Sequence, residues 1–305
     1  MTKTITLLDG GLGQELIKRS TAPPHPLWST HVMMTEPELV SAVHKDFCEA
    51  GARVICLNTY AVSRFRLNTY VPDESLENML ALSHRVAAAG IEAANCSEPV
   101  SVVASLPPLN ASYDHTVAPN HESAYEQYQE LIQLQKHRVD GFLLETMSNM
   151  AEATAGAKAI QDEHVIGAVA FTLNDSDPSI LRSGESLEDA ITAVKPYEPS
   201  AILINCSIPE IVTDGMKIVA KSGIRFGGYA NGFTSVEALV PGSTVDRLSQ
   251  RKDLGPEEYL AFVIEWLNMG ADIIGGCCEI GPAHIATIAD YCKHQGIATT
   301  ATIAP

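Results

Sequence analysis

Three cysteines stand where their thiols could act together. Cys277-Cys278 follow Gly275-Gly276, and Cys206 follows Asn205 at the end of another apolar run. Adjacent thiols reach a single ion only where the chain turns sharply, and a glycine pair allows that bend. Three thiolates with one position left for a substrate describe a catalytic zinc site, because soft sulfur ligands select zinc. Buried cysteines also serve as small hydrophobes, and neighbouring thiols can close a vicinal disulfide. Spacing alone leaves the three readings side by side. The other four of the 7 cysteines, Cys48, Cys56, Cys96 and Cys292, lie inside apolar patterns and read as core residues.

Two acidic residues join them. Asp9-Gly10-Gly11 offers a carboxylate beside backbone N–H groups that glycines leave accessible, a pair suited to the ammonium and carboxylate of an amino acid. A tight turn with a capping Asp is the plainer reading. Glu145 closes the run Gly141-Phe142-Leu143-Leu144, where a carboxylate is costly unless paired. It reads as a second ammonium contact or as half of a structural ion pair. Other motifs carry less. Gly11-Leu12-Gly13 continues without the third glycine of a dinucleotide fingerprint. Asp162-Glu163-His164-Val165-Ile166-Gly167 fits the D-x-H-x-x-G pattern of cobalamin-binding modules, but it precedes a strand where a ligand loop should follow one. The sequence holds no HExxH, G-x-S-x-G or P-loop motif, and no His pair at helical ligand spacing.

These residues need a frame to bring them together. Short β-rich runs cover 4–8, 54–58, 100–105, 141–145, 165–172, 201–205, 225–230 and 272–276, alternating with amphipathic stretches. Thr35-Glu36-Pro37-Glu38 reads as a capping box opening a helix that ends at Gly51. Another helix opens at Gly255-Pro256, places Tyr259, Leu260, Val263, Trp266 and Leu267 on one face, and stops at Gly270. Further helices are predicted over 74–95, 122–138, 149–162, 186–194, 209–222 and 281–294. Continuous apolar strands alternating with helices indicate a parallel sheet. Eight units in 305 residues predict an α/β fold, a closed (β/α)8 TIM-type barrel in one domain over residues 1–305, ahead of an open doubly wound sheet. In a barrel the site forms at the strands' C-terminal ends. Those exits read Asp9-Gly10-Gly11, Asn58-Thr59-Tyr60, Ser105, Glu145-Thr146, Thr172, Asn205-Cys206, Asn231 and Cys277-Cys278.

Composition narrows the function classes. With 20 Lys+Arg against 37 Asp+Glu, the net charge of −17 argues against a phosphate-tracking nucleic-acid binder. At 46% hydrophobic residues the chain can bury a large core. No apolar run reaches the ~18 residues of a membrane helix, and the N-terminus lacks a signal-peptide pattern. A cytoplasmic home is predicted, where thiols stay reduced and a disulfide framework is not expected.

The segments Leu7-Leu8-Asp9-Gly10-Gly11-Leu12-Gly13-Gln14-Glu15-Leu16, His25-Pro26-Leu27-Trp28-Ser29 and Glu49-Ala50-Gly51-Ala52 leading to Asn58-Thr59-Tyr60 resemble the homocysteine S-methyltransferase family. So do Leu144-Glu145-Thr146, Ile204-Asn205-Cys206 with Pro209, and Gly275-Gly276-Cys277-Cys278, in the family's order over residues 5–294. The resemblance implies a barrel enzyme with one Zn2+ per chain on Cys206, Cys277 and Cys278. It places the homocysteine thiol at the open position, Asp9 and Glu145 on its ammonium, and the Gly10-Gly11 backbone on its carboxylate. Asn58, Thr59, Ser105 and Asn205 at neighbouring exits complete the predicted substrate site. The implied partners are homocysteine and a small cationic methyl donor, with methionine as product and neither nucleic acid nor membrane involved; a homo-oligomer is left open.

Departures from the family pattern concern the donor. Users of S-methylmethionine carry a Gly-Pro-Tyr-Gly-type stretch after strand three, where this chain has Ala104-Ser105-Leu106-Pro107-Pro108-Leu109 and then Ser112-Tyr113. Betaine users carry Tyr after the strand-four Glu and a C-terminal oligomerisation extension; here Thr146 follows Glu145. A sulfonium is the first expectation and betaine the second. Selenols such as selenocysteine would fit the acceptor site. Two other readings use the same residues: a zinc-thiolate sensor without turnover, and a metal-free lyase with Glu145 as base.

Overall fold

Eight apolar segments, each followed by at least one helix, become parallel strands in the computed structural model, which describes residues 3–236 and 248–304. They are β1 (Thr4–Leu7), β2 (Val54–Cys56), β3 (Ser101–Leu106), β4 (Gly141–Met147), β5 (Gly167–Phe171), β6 (Ile202–Asn205), β7 (Phe226–Tyr229) and β8 (Ile273–Ile274), with a ninth, β9 (Ala298–Thr300), near the C-terminus. Helices α1 (Leu12–Arg19), α2 (Trp28–Thr35) and α3 (Pro37–Glu49) fill the first connection, and α4 (Arg64–Tyr70) and α5 (Leu76–Ala94) the second. Then follow α6 (His121–Gln135), α7 (Met150–Asp162), α8 (Leu187–Val194), α9 (Pro209–Val219), α10 (Pro256–Met269) and α11 (Pro282–His294).

The strands lie side by side in chain order from β2 to β8, and β8 pairs with β1. The ring closes where β1 meets β2: Arg53 N–H donates to Leu7 O at 2.8 Å, Asp9 N–H donates to Val54 O at 3.0 Å, and Leu8 bridges Val54. Successive side chains point to opposite faces of a strand. Leu143, Ala168, Ala170 and Leu203 therefore fill the barrel, while Phe142, Val169, Phe171, Ile202 and Ile204 pack against the helical sheath. Both faces are buried, which is why these strands read as unbroken apolar runs. The (β/α)8 expectation holds.

The eight strands fall where the apolar runs do, and Gly51 and Gly270 sit at left-handed positions after α3 and α10, as C-terminal glycines should. Three helices were not read from the sequence, namely α1, α2 and α4, each only seven or eight residues long. The Thr35 capping box is not formed. Thr35 is the last residue of α2, its hydroxyl donates to His31 O at 3.0 Å, and Glu36 takes the boundary before α3. Strand β9 was also unread. It pairs in parallel with β1 and leads Ile303 into the lower end of the barrel, where Thr6 Oγ1 donates to Thr302 O at 2.5 Å and Arg225 Nη1 to Ala304 O at 2.6 Å. No helix among the described residues is long and apolar enough to cross a membrane.

Candidate active site

The strand exits surround a cleft that is partly open to solvent. Cys206 follows β6 with φ +49°, and Cys277 and Cys278 follow β8. Their three sulfurs lie within 4.8 Å of one another. Cys206 and Cys277 are joined as a disulfide with Cα atoms 5.8 Å apart, and Cys278 is a free thiol. The exits of strands six and eight thus converge more tightly than spacing could tell.

The glycines explain how the cysteine turn fits. A side chain on Gly10 would strike the Ile280 carbonyl, and one on Gly11 would strike the carbonyl of Cys277. Gly11 N–H donates to Ile280 O at 2.8 Å, and Gly276 N–H to Asp9 O at 3.0 Å. The first and eighth strand exits therefore interlock backbone to backbone, and only glycine permits that approach. The Gly11 amide is thereby engaged, and the lining residue Gly13 lies in the first turn of α1, where amides lack intrahelical partners.

Two buried carboxylates line the same cleft as the sulfurs. Asp9 Oδ2 accepts Cys56 N–H at 2.9 Å. Glu145 accepts the Ser105 hydroxyl on one oxygen and the Tyr229 hydroxyl, at 3.2 Å, on the other. Burial raises Asp9 well above the ordinary carboxylate range; the Cys56 hydrogen bond opposes that rise, and the facing charge of Glu145 adds to it. Burial raises Glu145 too, against the Ser105 and Tyr229 hydrogen bonds. None of the described residues lining the cleft is Lys, Arg or His. The site thus holds paired acids that call for a cation from outside.

The predicted substrate residues divide by position. Asp9, Gly10, Gly11, Asn58 and Glu145 line the cleft with the three cysteines, while Thr59, Ser105 and Asn205 stand behind it. Thr59 Oγ1 donates to Ser105 O and accepts Ser105 N–H, both at 3.1 Å. Asn205 holds Thr146: its Oδ1 accepts Thr146 N–H at 3.0 Å and its Nδ2 donates to Thr146 Oγ1 at 2.9 Å. Thr146 has φ +62°, an uncommon state for a β-branched residue, and it follows Glu145 directly. Asn58, although in the wall, is engaged with Ser29 through both amide atoms at 2.7 and 3.0 Å.

An aromatic wall went unassigned in the sequence. Trp28 stacks on Tyr60 with centroids 6.1 Å apart and planes 11° from parallel, and Tyr113 and Tyr229 complete the lining. Tyr60 hydroxyl donates to Ser112 Oγ at 2.8 Å, and burial pushes its phenol up to about 12. Tyr60 stands among the predicted exit residues but was given no role there; Trp28 and Tyr113 sit in connections without periodicity. Cys56, expected in the core, lines the cleft instead, and burial beside Glu145 and Asp9 keeps it a neutral thiol.

A family model described as homocysteine S-methyltransferase matches residues 6–292. The chain belongs to the homocysteine S-methyltransferase family. Among curated relatives of this methyltransferase, a selenocysteine Se-methyltransferase of Brassica oleracea var. italica is 28% identical, the match covering 92% of this chain and 87% of that one. Homocysteine S-methyltransferase 2 of Zea mays is also 28% identical, with 92% and 88% covered. The solved metallated form of the homocysteine methyltransferase MmuM from Escherichia coli superposes with a TM-score of 0.79 at 23% identity, covering 94% of this chain and 96% of that one, a likeness of fold.

Proposed function

We propose that this family member transfers a methyl group from a small sulfonium donor, or less favourably a quaternary ammonium such as betaine, to the thiol of L-homocysteine, giving methionine. The observation that carries the reading is the presence of three sulfurs within 4.8 Å of one another and two buried carboxylates in one cleft. A zinc ion fits the sulfur set. Zn–S bonds of ~2.3 Å span such a cluster, and Cys278, pushed up to about 12 by burial, becomes a thiolate only beside a cation. Cys206, Cys277 and Cys278 would hold one Zn2+ per chain, with Cys206 and Cys277 reduced. When bound there, the metal supplies the positive charge that removes the proton from an incoming thiol.

The remaining work falls to the chain's own groups. Asp9 and Glu145 take the homocysteine ammonium, which restores their ionised forms, and Tyr229 and Ser105 steady Glu145 through its two oxygens. The Gly10-Gly11 corner and the first turn of α1 receive the substrate carboxylate. Trp28, Tyr60 and Tyr113 offer ring faces to an onium donor, the side-chain type that attracts a cation without forming a salt bridge. The acceptor sulfur then bonds to the methyl carbon while the donor's C–S or C–N bond breaks, and the donor leaves neutral with that electron pair. Alignment of the two centres supplies much of the rate. We place the reaction in the cytoplasm, where the cysteines stay reduced, with these small molecules as its partners.

The test combines metal analysis with a donor panel of S-methylmethionine, S-adenosylmethionine, dimethylsulfoniopropionate and glycine betaine under reducing conditions. Homocysteine and selenocysteine serve as acceptors, the latter because a relative is named for it. One zinc per chain, lost in Cys277→Ser, with turnover from a sulfonium, is the expected result. Full activity in metal-free protein or in Cys206→Ser would sink the proposal, and zinc without turnover from any donor would leave a metal-thiolate binding protein.

A further inference from the structure

The loops after β5 and β7 carry an ion pair that the chemistry above does not use. Arg182 Nη2 donates to Asp175 Oδ1 at 2.7 Å, with the two side chains only 9% and 11% exposed. Asp175 Oδ2 accepts the Ser235 hydroxyl at 3.0 Å and the Val236 N–H at 3.4 Å. Taking two charges out of water is costly and often contributes little net stability. Such a pair therefore invites a reason beyond stability, and its inner side supplies one.

Arg182 reaches the site by two routes. Its Cζ lies 5.0 Å from the ring centroid of Tyr113, a residue of the cleft wall. Its Nε donates to Thr172 Oγ1 at 3.0 Å, and that hydroxyl donates to Cys206 O at 3.2 Å. A guanidinium can only donate, so it leaves the Thr172 proton free to point at the Cys206 carbonyl. Both ends of this arrangement are conformations that need holding: Tyr113 has φ +65° and Cys206 φ +49°. We propose that Arg182, kept neutral in sum by Asp175, is a positioning residue for methyl transfer that fixes the Tyr113 ring and the Cys206 turn so that donor methyl and acceptor sulfur stay in line. The inference rests on reading the cleft as an onium-and-thiol site. Asp175 has its own part in it, because an unbalanced guanidinium one ring's thickness from the wall would oppose a cationic donor.

The experiment compares wild type with Arg182→Met, Arg182→Lys, Asp175→Asn and Tyr113→Leu. Kinetics use S-methylmethionine and homocysteine, and calorimetry uses tetramethylammonium as an unreactive cation probe. Arg182→Met is expected to lower kcat about tenfold or more and to raise the donor KM, since a ~1 Å misplacement costs up to about a hundredfold. Homocysteine affinity and zinc content should stay within about twofold of wild type, a split that general loosening would not produce. Arg182→Lys restores charge without the planar fork and should remain impaired. Asp175→Asn should weaken tetramethylammonium binding. In the Tyr113→Leu background, Arg182→Met should no longer alter tetramethylammonium affinity. Wild-type kcat and donor KM in folded Arg182→Met, or equal losses for both substrates, would overturn the proposal. If the wild type transfers no methyl group, the functional reading falls by itself. The tetramethylammonium titration then decides Arg182, an unchanged affinity in Arg182→Met rejecting it. Should Arg182→Met not fold, Arg182→Lys and Asp175→Asn carry the same comparisons.

Discussion

Replacing Asn205 with Ala removes a side chain that never touches the cleft, yet it should disable the amino-acid end of the site. Asn205 is fully buried and makes two hydrogen bonds, of 3.0 and 2.9 Å, to Thr146, which is itself fully buried. Losing the first strands a buried N–H, at about 1–3 kcal/mol, and losing the second forfeits a further 0.5–1.5 kcal/mol or so. The expected destabilisation is therefore about 2–4 kcal/mol. The functional effect follows from φ +62° at Thr146. A left-handed β-branched residue costs about 1–3 kcal/mol and persists only while its neighbours insist. Released, Thr146 relaxes and takes the adjacent Glu145 carboxylate out of register with Asp9. Homocysteine affinity should fall at least about tenfold, the equivalent of 1.4 kcal/mol. Urea unfolding gives the first quantity and calorimetric titration the second. Thr146→Gly in the Asn205→Ala background should recover part of the affinity, because glycine takes positive φ without strain, while stability stays low. An Asn205→Ala protein within about 0.5 kcal/mol of wild type and with unchanged homocysteine affinity would refute the reasoning.

Three other outcomes are expected. Burial raises Asp9 and Glu145, so the folded substrate-free protein holds protons that the unfolded chain releases. Its stability should fall as pH climbs above ordinary carboxylate values, while homocysteine affinity rises over the same window. Asp9→Asn should flatten the fall, raise the melting temperature at neutral pH and abolish the affinity; a melting curve equally steep in pH for wild type and variant would contradict this. Gly11→Ala would push a methyl group into the Cys277 carbonyl, and zinc content by elemental analysis should drop with little change in helical circular dichroism. Ile303→Ala empties a buried position at the far end of the barrel, and should cost about 2–5 kcal/mol in urea while leaving both substrate KM values in place.

The eight strands were legible because both faces of each are largely buried, so most of their residues are apolar and the turn residues that bound them stand out. The same double burial hides which side chain points where. Tyr229 lies in an apolar strand, and nothing in its neighbours' types says that its hydroxyl meets Glu145 across the barrel. Asn205 and Asn58 look alike as exit residues, yet one turns to Thr146 and the other to Ser29 and the cleft. Asp9, Glu145 and the three cysteines could be found because chemistry-bearing residues at the ends of apolar runs have few other reasons to be there. Trp28, Tyr113 and Arg182 could not, since each sits in a connection whose path depends on tertiary contacts. Strand β9 is three residues of ordinary polarity, defined by its partner β1 rather than by any pattern of its own.

Thr146, Cys206 and Glu279 are non-glycine residues with positive φ at the exits of the fourth, sixth and eighth strands, each a ligand candidate or the neighbour of one. A selection for heat resistance acting on this protein would find its easiest gains at those three turns, where Gly or Asn relieves what Thr, Cys and Glu must endure. Two of the three substitutions would spare every atom assigned to the reaction and still shift the groups that perform it. Variants that survive at high temperature by this route should be the slow ones, and those that keep their speed should carry their changes at the opposite mouth of the barrel, around Ile303 and β9.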